Sequence, residues 1–552
     1  MDMTGIYVAA GAVVVASLSR LKSRLELSAA KHRSLTGHPR MARRVAALLP
    51  YYSYDAEQFY GIDGASSDIV GQRKSAFRRL ETVYASKYAK TVACSAAAEP
   101  GISDMQFING YRVPFQFSKQ VRDSLKVGSF VQSSAGVTLT DLDGNVSFDL
   151  TGSFGVNVFG NDFYKACIDE GSDLVRELGP VLGSYHPVVG DNVDRLKQIS
   201  GMDEVSFHMS GTEAVMQAVR LARYHTRRSH LVRFCGSYHG WWGDVQPGVG
   251  NPSRAYDTYN LKEMDEASLR VLRRRRDIAC VLVNPLQGLH PNSGAPGDSA
   301  LVDSSRKAGF DREAYTAWLQ ALRKVCDERG IALIFDEVFM GFRLSPGGAQ
   351  DYFGVRADLV TYGKTVAGGL PVGVVCGKRP WMKRFNDTAP VDICFARGTF
   401  NSHPYVMGAM NVFLRRLENA DIQAMYQALD ATWNRRAAQL NQRLVDAGLP
   451  VRVANLSSVW TVTYMEPSCY NWMFQYYLRL EGLALSWVGS GRMIFSLNYT
   501  EGDFVAVADR FVAAAQAMKA DGWWCDGLPL TNKAIKRRIL REMLLEWRHR
   551  LF

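Results

Sequence analysis

No two cysteines in this 552-residue chain are spaced as CxxC, no apolar run is long enough to cross a bilayer, and there is no internal repeat or low-complexity tract. The nine cysteines (Cys94, Cys167, Cys235, Cys280, Cys326, Cys376, Cys394, Cys469 and Cys525) stand singly, mostly among apolar neighbours. That pattern argues against a disulfide scaffold or structural metal site and for a reducing, cytoplasmic compartment. Net charge is also missing where a nucleic-acid enzyme would carry it. Of the formal +11, residues 1–50 contribute eight basic and two acidic side chains, and residues 531–552 seven and two. Residues 51–530 are therefore neutral overall, and DNA or RNA binding is not expected. With 47% apolar and 22% charged residues, the chain has the composition of a folded protein whose length calls for two or three domains.

The ends read differently from the body. Ile6–Leu18 is a thirteen-residue apolar run followed by Arg20, Lys22 and Arg24. It falls short of the roughly 20 residues of a membrane span, and its basic residues follow the run where a signal peptide has them in front. It reads either as a packed N-terminal helix or as a peripheral membrane anchor whose basic residues meet anionic headgroups. The tail from Lys533, with Ile535, Ile539, Leu540 and Met543 at helical spacing, reads as a basic amphipathic helix, docked on the body or attached to a surface or partner. Residues 51–100 look like loosely patterned helix. Gly136–Leu150 alternates around a DGN turn and predicts a hairpin. Beyond it, short apolar strands alternate with helical segments (Glu204–Met209 then Glu213–His225; Ile331–Phe335; runs near 359–362 and 372–376), the signature of an α/β domain with a mainly parallel sheet.

Three features of that domain carry chemistry. Ser210-Gly211-Thr212 lies between a strand and a helix, where backbone N–H groups and hydroxyls at a helix start suit a phosphate, although Ser and Thr are also ordinary caps. Asp336 ends a five-residue apolar run, at the sheet edge where open α/β sheets bind ligands. Lys364 sits in the small-residue stretch Tyr362–Gly369, where desolvation lowers an amine's pKa and favours the nucleophile that Schiff-base chemistry requires. A phosphate cradle, a strand-end carboxylate and a desolvated amine together meet the needs of pyridoxal phosphate: an anion site, a partner for the pyridine nitrogen, and an amine for the aldehyde.

These residues stand in a series of motifs: SGTEA (Ser210–Ala214), YHG (Tyr238–Gly240), FDEV..GFR (Phe335–Arg343), GAQDYFGV (Gly348–Val355), DLVTYGKTVAGGLPVG (Asp358–Gly373) and GTFNSHP (Gly398–Pro404). In order and spacing the chain resembles the class III aminotransferases of pyridoxal-phosphate fold type I, most closely the glutamate-1-semialdehyde 2,1-aminomutase branch, from about Phe115 to Gly522. The resemblance implies a large domain with a mainly parallel, seven-stranded-type sheet flanked by helices, plus a smaller α+β domain. Along the chain it implies a helical extension (1–100), a first segment of the small domain (101–150), the large cofactor-binding domain (151–400), the rest of the small domain (401–530) and the C-terminal helix (531–552).

It also implies roles. Lys364 would form a Schiff base with the cofactor aldehyde and shuttle a proton, and Asp336 would hold the pyridine N–H. Val338 would pack on one ring face and Tyr238 on the other, with His239 beside it. Ser210, Gly211 and Thr212 would bind the phosphate, and Thr399 would reach the phosphate of a neighbouring subunit, making a homodimer with shared active sites. On the substrate side it implies Phe154, in the segment Gly152–Asn157. Trp241, first of a Trp-Trp pair after YHG, would either meet a larger apolar substrate or pack in the core. Arg492, where many class III aminotransferases hold a substrate carboxylate, suits one by its fork of donors. Asn284 stands where the family often has Glu. Glu213 and the run Arg273–Arg276 read more simply as a helix first-turn acid and a solvated helix end.

The expected activity is transfer of an amino group from an amino-acid donor to a keto or aldehyde acceptor, small or carrier-tethered. The alternative is an aminomutase-like intramolecular transfer, and a third reading is a non-catalytic assembly protein. Residues 1–100 are expected to wrap a dimer or to attach it to a membrane or carrier.

Overall fold

A computed structural model describes residues 3–246, 248–251, 253, 256–486, 489–527 and 529–551, the side chains of residues 3–11 and 551 excepted. The hairpin expected around the DGN turn is present as β2 (Thr138–Asp141) and β3 (Val146–Asp149), preceded by β1 (Val131–Ala135). Asp141 makes the turn: its Oδ1 accepts from the backbone N–H groups of Asp143 and Asn145, both at 2.9 Å.

The α/β pattern becomes a seven-stranded sheet. Its strands are β4 (Glu204–His208), β5 (His230–Phe234), β6 (Thr258–Leu261), β7 (Ile278–Val283), β8 (Ala332–Asp336), β9 (Leu359–Gly363) and β10 (Gly373–Gly377). They lie in the order β4-β10-β9-β8-β7-β5-β6. Neighbours from β9 to β6 are parallel, and β10 runs antiparallel to both β9 and β4. Every residue of β7, β8, β9 and β10 is buried, as helices on both faces of a sheet require. The helix Gly211–Thr226 covers one face through Ala214, Val215, Ala218 and Ala222. This is the mainly parallel α/β architecture that the sequence predicts.

A smaller sheet of β11 (Val451–Leu456), β12 (Val459–Tyr464) and the two-residue β14 (Met493–Ile494) carries the helices Leu429–Asp446 and Glu501–Ala520. The two-residue strand β13 (Leu483–Ala484) pairs in parallel with β3, so the segment before residue 150 and the C-terminal region share one sheet. Residues 51–124 form the helices Ala56–Gly61, Ser67–Lys87, Ala89–Ala98, Ser103–Tyr111 and Ser118–Ser124. They pack on residues 470–524. Arg73 is fully buried, pairs with Asp63 at 2.7 Å, donates to the Gly522 carbonyl, and lies 4.5 Å from the centroid of the Tyr470 ring. Tyr84 Oη donates to Tyr476 O, and Lys87 Nζ to Leu480 O.

The two ends dock unequally. On the C-terminal helix Asn532–Leu551, Ile535 is buried and Glu542 accepts from both Tyr52 and Tyr54, while Leu540, Leu544 and Trp547 stay exposed. The N-terminal helix Met3–Ala29 ends on the body, where the Ala30 carbonyl accepts from Lys262 N at 2.7 Å. Residues 12–18 are exposed, and residues 6–11 of the Ile6–Leu18 run lie outside the described side chains. No helix among the described residues is long and apolar enough to cross a membrane.

Candidate active site

The site lies at the carboxyl ends of β8 and β9, as sheet topology dictates for open α/β folds. Asp336 closes β8 and Lys364 follows the last residue of the adjacent parallel strand β9, with Asp336 in register with Thr361. Two tight approaches set the phosphate loop against them. A Cβ on Gly211 would fall 2.5 Å from Val338 Cγ1, and one on Gly373 would fall 2.0 Å from the Ser210 carbonyl oxygen. Only glycine lets β10 and the Val338 segment come this close. Ser210 also caps the helix, its Oγ accepting from Glu213 N at 3.2 Å, while Glu213 itself accepts from Met209 N. That local role is the simpler of the two readings of Glu213.

A cavity of about 280 Å³ joins Ser210, Gly211, Thr212, Tyr238, His239, Asp336, Val338, Lys364 and Arg492. Asp336 is almost fully buried and is held from three sides. His239 Nδ1 donates to Oδ2 at 2.7 Å, Val338 N to Oδ1 at 3.2 Å, and Thr361 Oγ1 approaches Oδ1 at 3.4 Å. A carboxylate can only accept, so the proton of a neutral His239 is on Nδ1; its Nε2 is buried without a partner. Burial pushes the imidazole pKa down, against the pull of Asp336. Burial likewise lowers the Lys364 amine, with Asp336 opposing. Lys364 adopts φ 51°, a strained conformation for a side chain of its size. Its ammonium has no hydrogen-bond acceptor among the described residues and lies 5.9 Å from the Phe339 ring centroid.

Three expected site residues do not line this cavity, one of them, Thr399, being expected to act in a neighbouring subunit. Trp241 is 74% exposed and does not line the cavity; its neighbour Trp242 packs against the helix side of the sheet instead. Thr399 is exposed on the segment after β-hairpin residues 385–393. Phe154, at φ 56°, lines a second and larger cavity, and Lys364 is not among that cavity's lining residues. Phe339 takes the wall position because Gly155 leaves room for it: a Cβ there would be 2.7 Å from the ring.

Phe339, Gln287 and His290 are cavity residues that the sequence reading left without a role. Phe339 was within reach, since it stands inside FDEV..GFR; His290 carries no motif. His290 Nε2 accepts from Arg492 Nη2 at 2.9 Å. Burial, then the Arg492 charge, lowers the His290 pKa to about 4, and burial lowers Arg492 to about 10. Arg492 has no acidic partner among the described residues, and its Nε is buried and unpaired. Asn284 donates to the Tyr238 carbonyl at 3.0 Å and so positions the ring-bearing loop.

The half-buried amine, the glycine-bearing Ser210–Thr212 loop and the oriented carboxylate fit pyridoxal phosphate. The family model for class-III aminotransferases matches residues 120–246 and 299–498. The chain belongs to that family, whose members are pyridoxal-phosphate-dependent amino-transfer enzymes. A glutamate-1-semialdehyde 2,1-aminomutase from Nitratidesulfovibrio vulgaris (strain DP4) is 34% identical over 366 residues, 64% of this chain and 81% of that protein. A solved transaminase with PLP bound is 26% identical, with a TM-score of 0.62 over 79% of this chain and 98% of that one. A β-phenylalanine aminotransferase from Variovorax paradoxus, 22% identical, shares the fold at a TM-score of 0.63 over 82% of this chain and 98% of its own.

Proposed function

We propose that the chain transfers an amino group from an amino-acid donor to a keto or aldehyde acceptor through Lys364. The observation that carries this reading is the Lys364 amine, half-buried and without an acceptor among the described residues, in one cavity with Asp336 and the Ser210–Thr212 loop. When bound, pyridoxal phosphate supplies an aldehyde for amines and a protonated ring that draws off the electron pair left at the substrate carbon. Burial favours the neutral, nucleophilic amine of Lys364, which then accepts the substrate carbon's proton at Nζ and returns it. Asp336, fixed by His239 and Val338 N, keeps a proton on the ring nitrogen. Gly211, Thr212 and Ser210 hold the phosphate, Val338 and Tyr238 flank the ring, and Phe339 closes the cavity toward the Gly152–Asn157 segment. Arg492 takes a substrate carboxylate by its unpaired edge, with neutral His290 fixing the other.

The second reading, intramolecular amino transfer, is favoured by one observation: the relative named above at 34% identity is an aminomutase. Incubating the holoenzyme with candidate acceptors, with and without glutamate or alanine, separates the two. Turnover without a donor supports the mutase; strict dependence on a donor supports the transferase. Failure of both, with Lys364→Ala indistinguishable from wild type, would sink the site assignment.

The working unit in this reading is a homodimer. Thr399 is exposed among exposed apolar residues (Val391, Ile393, Phe395 and Phe400), a surface that suits a second copy and would let Thr399 reach its cofactor phosphate. The same reading takes residues 151–400 as the cofactor-binding unit and 401–530 with 101–150 as the smaller one. The nine unpaired thiols suit a reducing, cytoplasmic setting.

A further inference from the structure

The second cavity, about 700 Å³, lies where the helical extension, the β1–β3 sheet and the Gly152–Asn157 segment meet, and is larger than the Lys364 cavity. Its lining includes two arginines from distant parts of the chain. Arg112 follows the helix Ser103–Tyr111, and its backbone is pinned by Gln475 Nε2, which donates to its carbonyl at 3.2 Å. Arg479 lies on the helix Phe474–Leu480, pinned by Tyr88 Oη, which donates to its carbonyl at 2.9 Å.

Among the described residues neither guanidinium bonds to a carboxylate. The Arg112 side chain, on a residue only 7% exposed, has no hydrogen bond or ion pair among the described residues. Arg479 gives one Nη to the Ser486 carbonyl at 2.8 Å, and its Nε is buried with no partner. Ser486 Oγ, beside it, is also buried and unpartnered. The acid on the cavity wall, Asp141, is engaged by Asp143, Asn145 and the Asn145 side chain. Asp298 accepts from Ser490 N and Oγ and hydrogen-bonds to neither arginine, although its charge acts on both; burial raises it to about 7. Burial and the neighbouring Arg479 charge lower Arg112 to about 10, still protonated.

A buried cation beside a half-buried one, with free donors and no carboxylate bonded to either among the described residues, costs free energy unless an anion joins them. We propose that this cavity is a second binding site, for the dianionic phosphate of a small phosphomonoester, with Arg112, Arg479 and Ser486 Oγ as its ligands. A dianion matches two guanidinium forks, and the oxygens of a phosphate can take both together with a hydroxyl. Phe154 lines the same cavity, so the segment that resembles a substrate wall faces this ligand and not Lys364.

The test is equilibrium binding to the holoenzyme, whose own phosphate loop is filled by the cofactor, with glycerol 3-phosphate as probe. Dimethyl phosphate and glycerate serve as monoanionic phosphodiester and carboxylate controls. The expected result is one saturable equivalent per protomer for glycerol 3-phosphate, with at least tenfold weaker binding of both controls. Arg112→Gln and Arg479→Gln should each weaken binding by about 10–100-fold and Ser486→Ala by about fivefold, with the cofactor absorbance unchanged. If either arginine variant does not fold, Ser486→Ala decides. Absence of saturable binding, equal binding of the controls, or affinity unchanged in the variants would each overturn the site. Turnover plays no part in this measurement, so its failure leaves the amino-transfer reading standing.

Discussion

The two cavities handle buried charge in opposite ways. Around Lys364, the negative charge of Asp336 is met by an imidazole N–H and a backbone N–H, and the one unpaired guanidinium, Arg492, leans on a neutral ring. Around Arg112 and Arg479 there is positive charge to which no carboxylate bonds among the described residues. The first cavity is built to position a reagent that stays. The second leaves its balance to something that arrives. A third solution appears at Glu263, which is fully buried, accepts from Tyr315 Oη at 2.7 Å, and has a pKa raised by burial to about 8. There the acid simply keeps its proton.

The largest expected effect breaks the two cavities apart. Lys364→Ala should lower amino transfer by more than about 10³-fold while leaving glycerol 3-phosphate binding intact; parallel rate and binding measurements check it, and loss of both would show one coupled site. Next is the scaffold of the second cavity. Asp63→Ala leaves Arg73 charged and buried without its partner, which costs about 3–5 kcal/mol. A clear fall in thermal midpoint is expected, with the cofactor spectrum at room temperature unchanged.

Arg492→Met should raise KM for carboxylate substrates by about 10²-fold, from the roughly 3 kcal/mol of a truncated charge pair, with kcat changed far less. A matched fall in kcat alone would assign Arg492 to packing. The buried acid gives a pH test. Because the folded pKa of Glu263 is raised, the folded state keeps a proton that the unfolded chain releases near pH 4–5, so its contribution worsens as pH rises and levels off above about 8. Glu263→Gln should therefore be more stable than wild type at pH 8, by on the order of 4 kcal/mol, and equal to it near pH 4. Parallel denaturation curves with the same pH slope would contradict this. The smallest effect is expected at Trp241: with its ring in solvent, Trp241→Ala should change kcat/KM less than about twofold, and a larger loss would mean that the ring closes on substrate.

What could be read from sequence divides along the same line. Ser210–Thr212, Asp336 and Lys364 were legible because each sits at a strand end inside a contiguous motif, and strand ends of an α/β sheet converge by topology. The hairpin at residues 138–149 was legible because Asp141 and the DGN turn make it locally. Phe154 could be placed in a segment but not on a wall, since which cavity it faces depends on Phe339 filling the space that Gly155 leaves. His290 and Arg492, or Arg112 and Arg479, meet only after the chain has folded; no spacing records such pairs. The antiparallel turn of β10 was hidden for a related reason, because a buried strand reads the same in either direction.

The burial of Arg73 has a practical consequence for anyone trimming this protein. A version cut back to where the family match begins, near residue 120, would remove the guanidinium that lies over Tyr470 and donates to Gly522, together with Phe59, which packs against Trp472 and Trp523. Those rings would meet water on the surface of the shortened enzyme. Residues 51–124 are thus a lining sewn into the coat, and a truncated version would be expected to aggregate before its chemistry could be assayed.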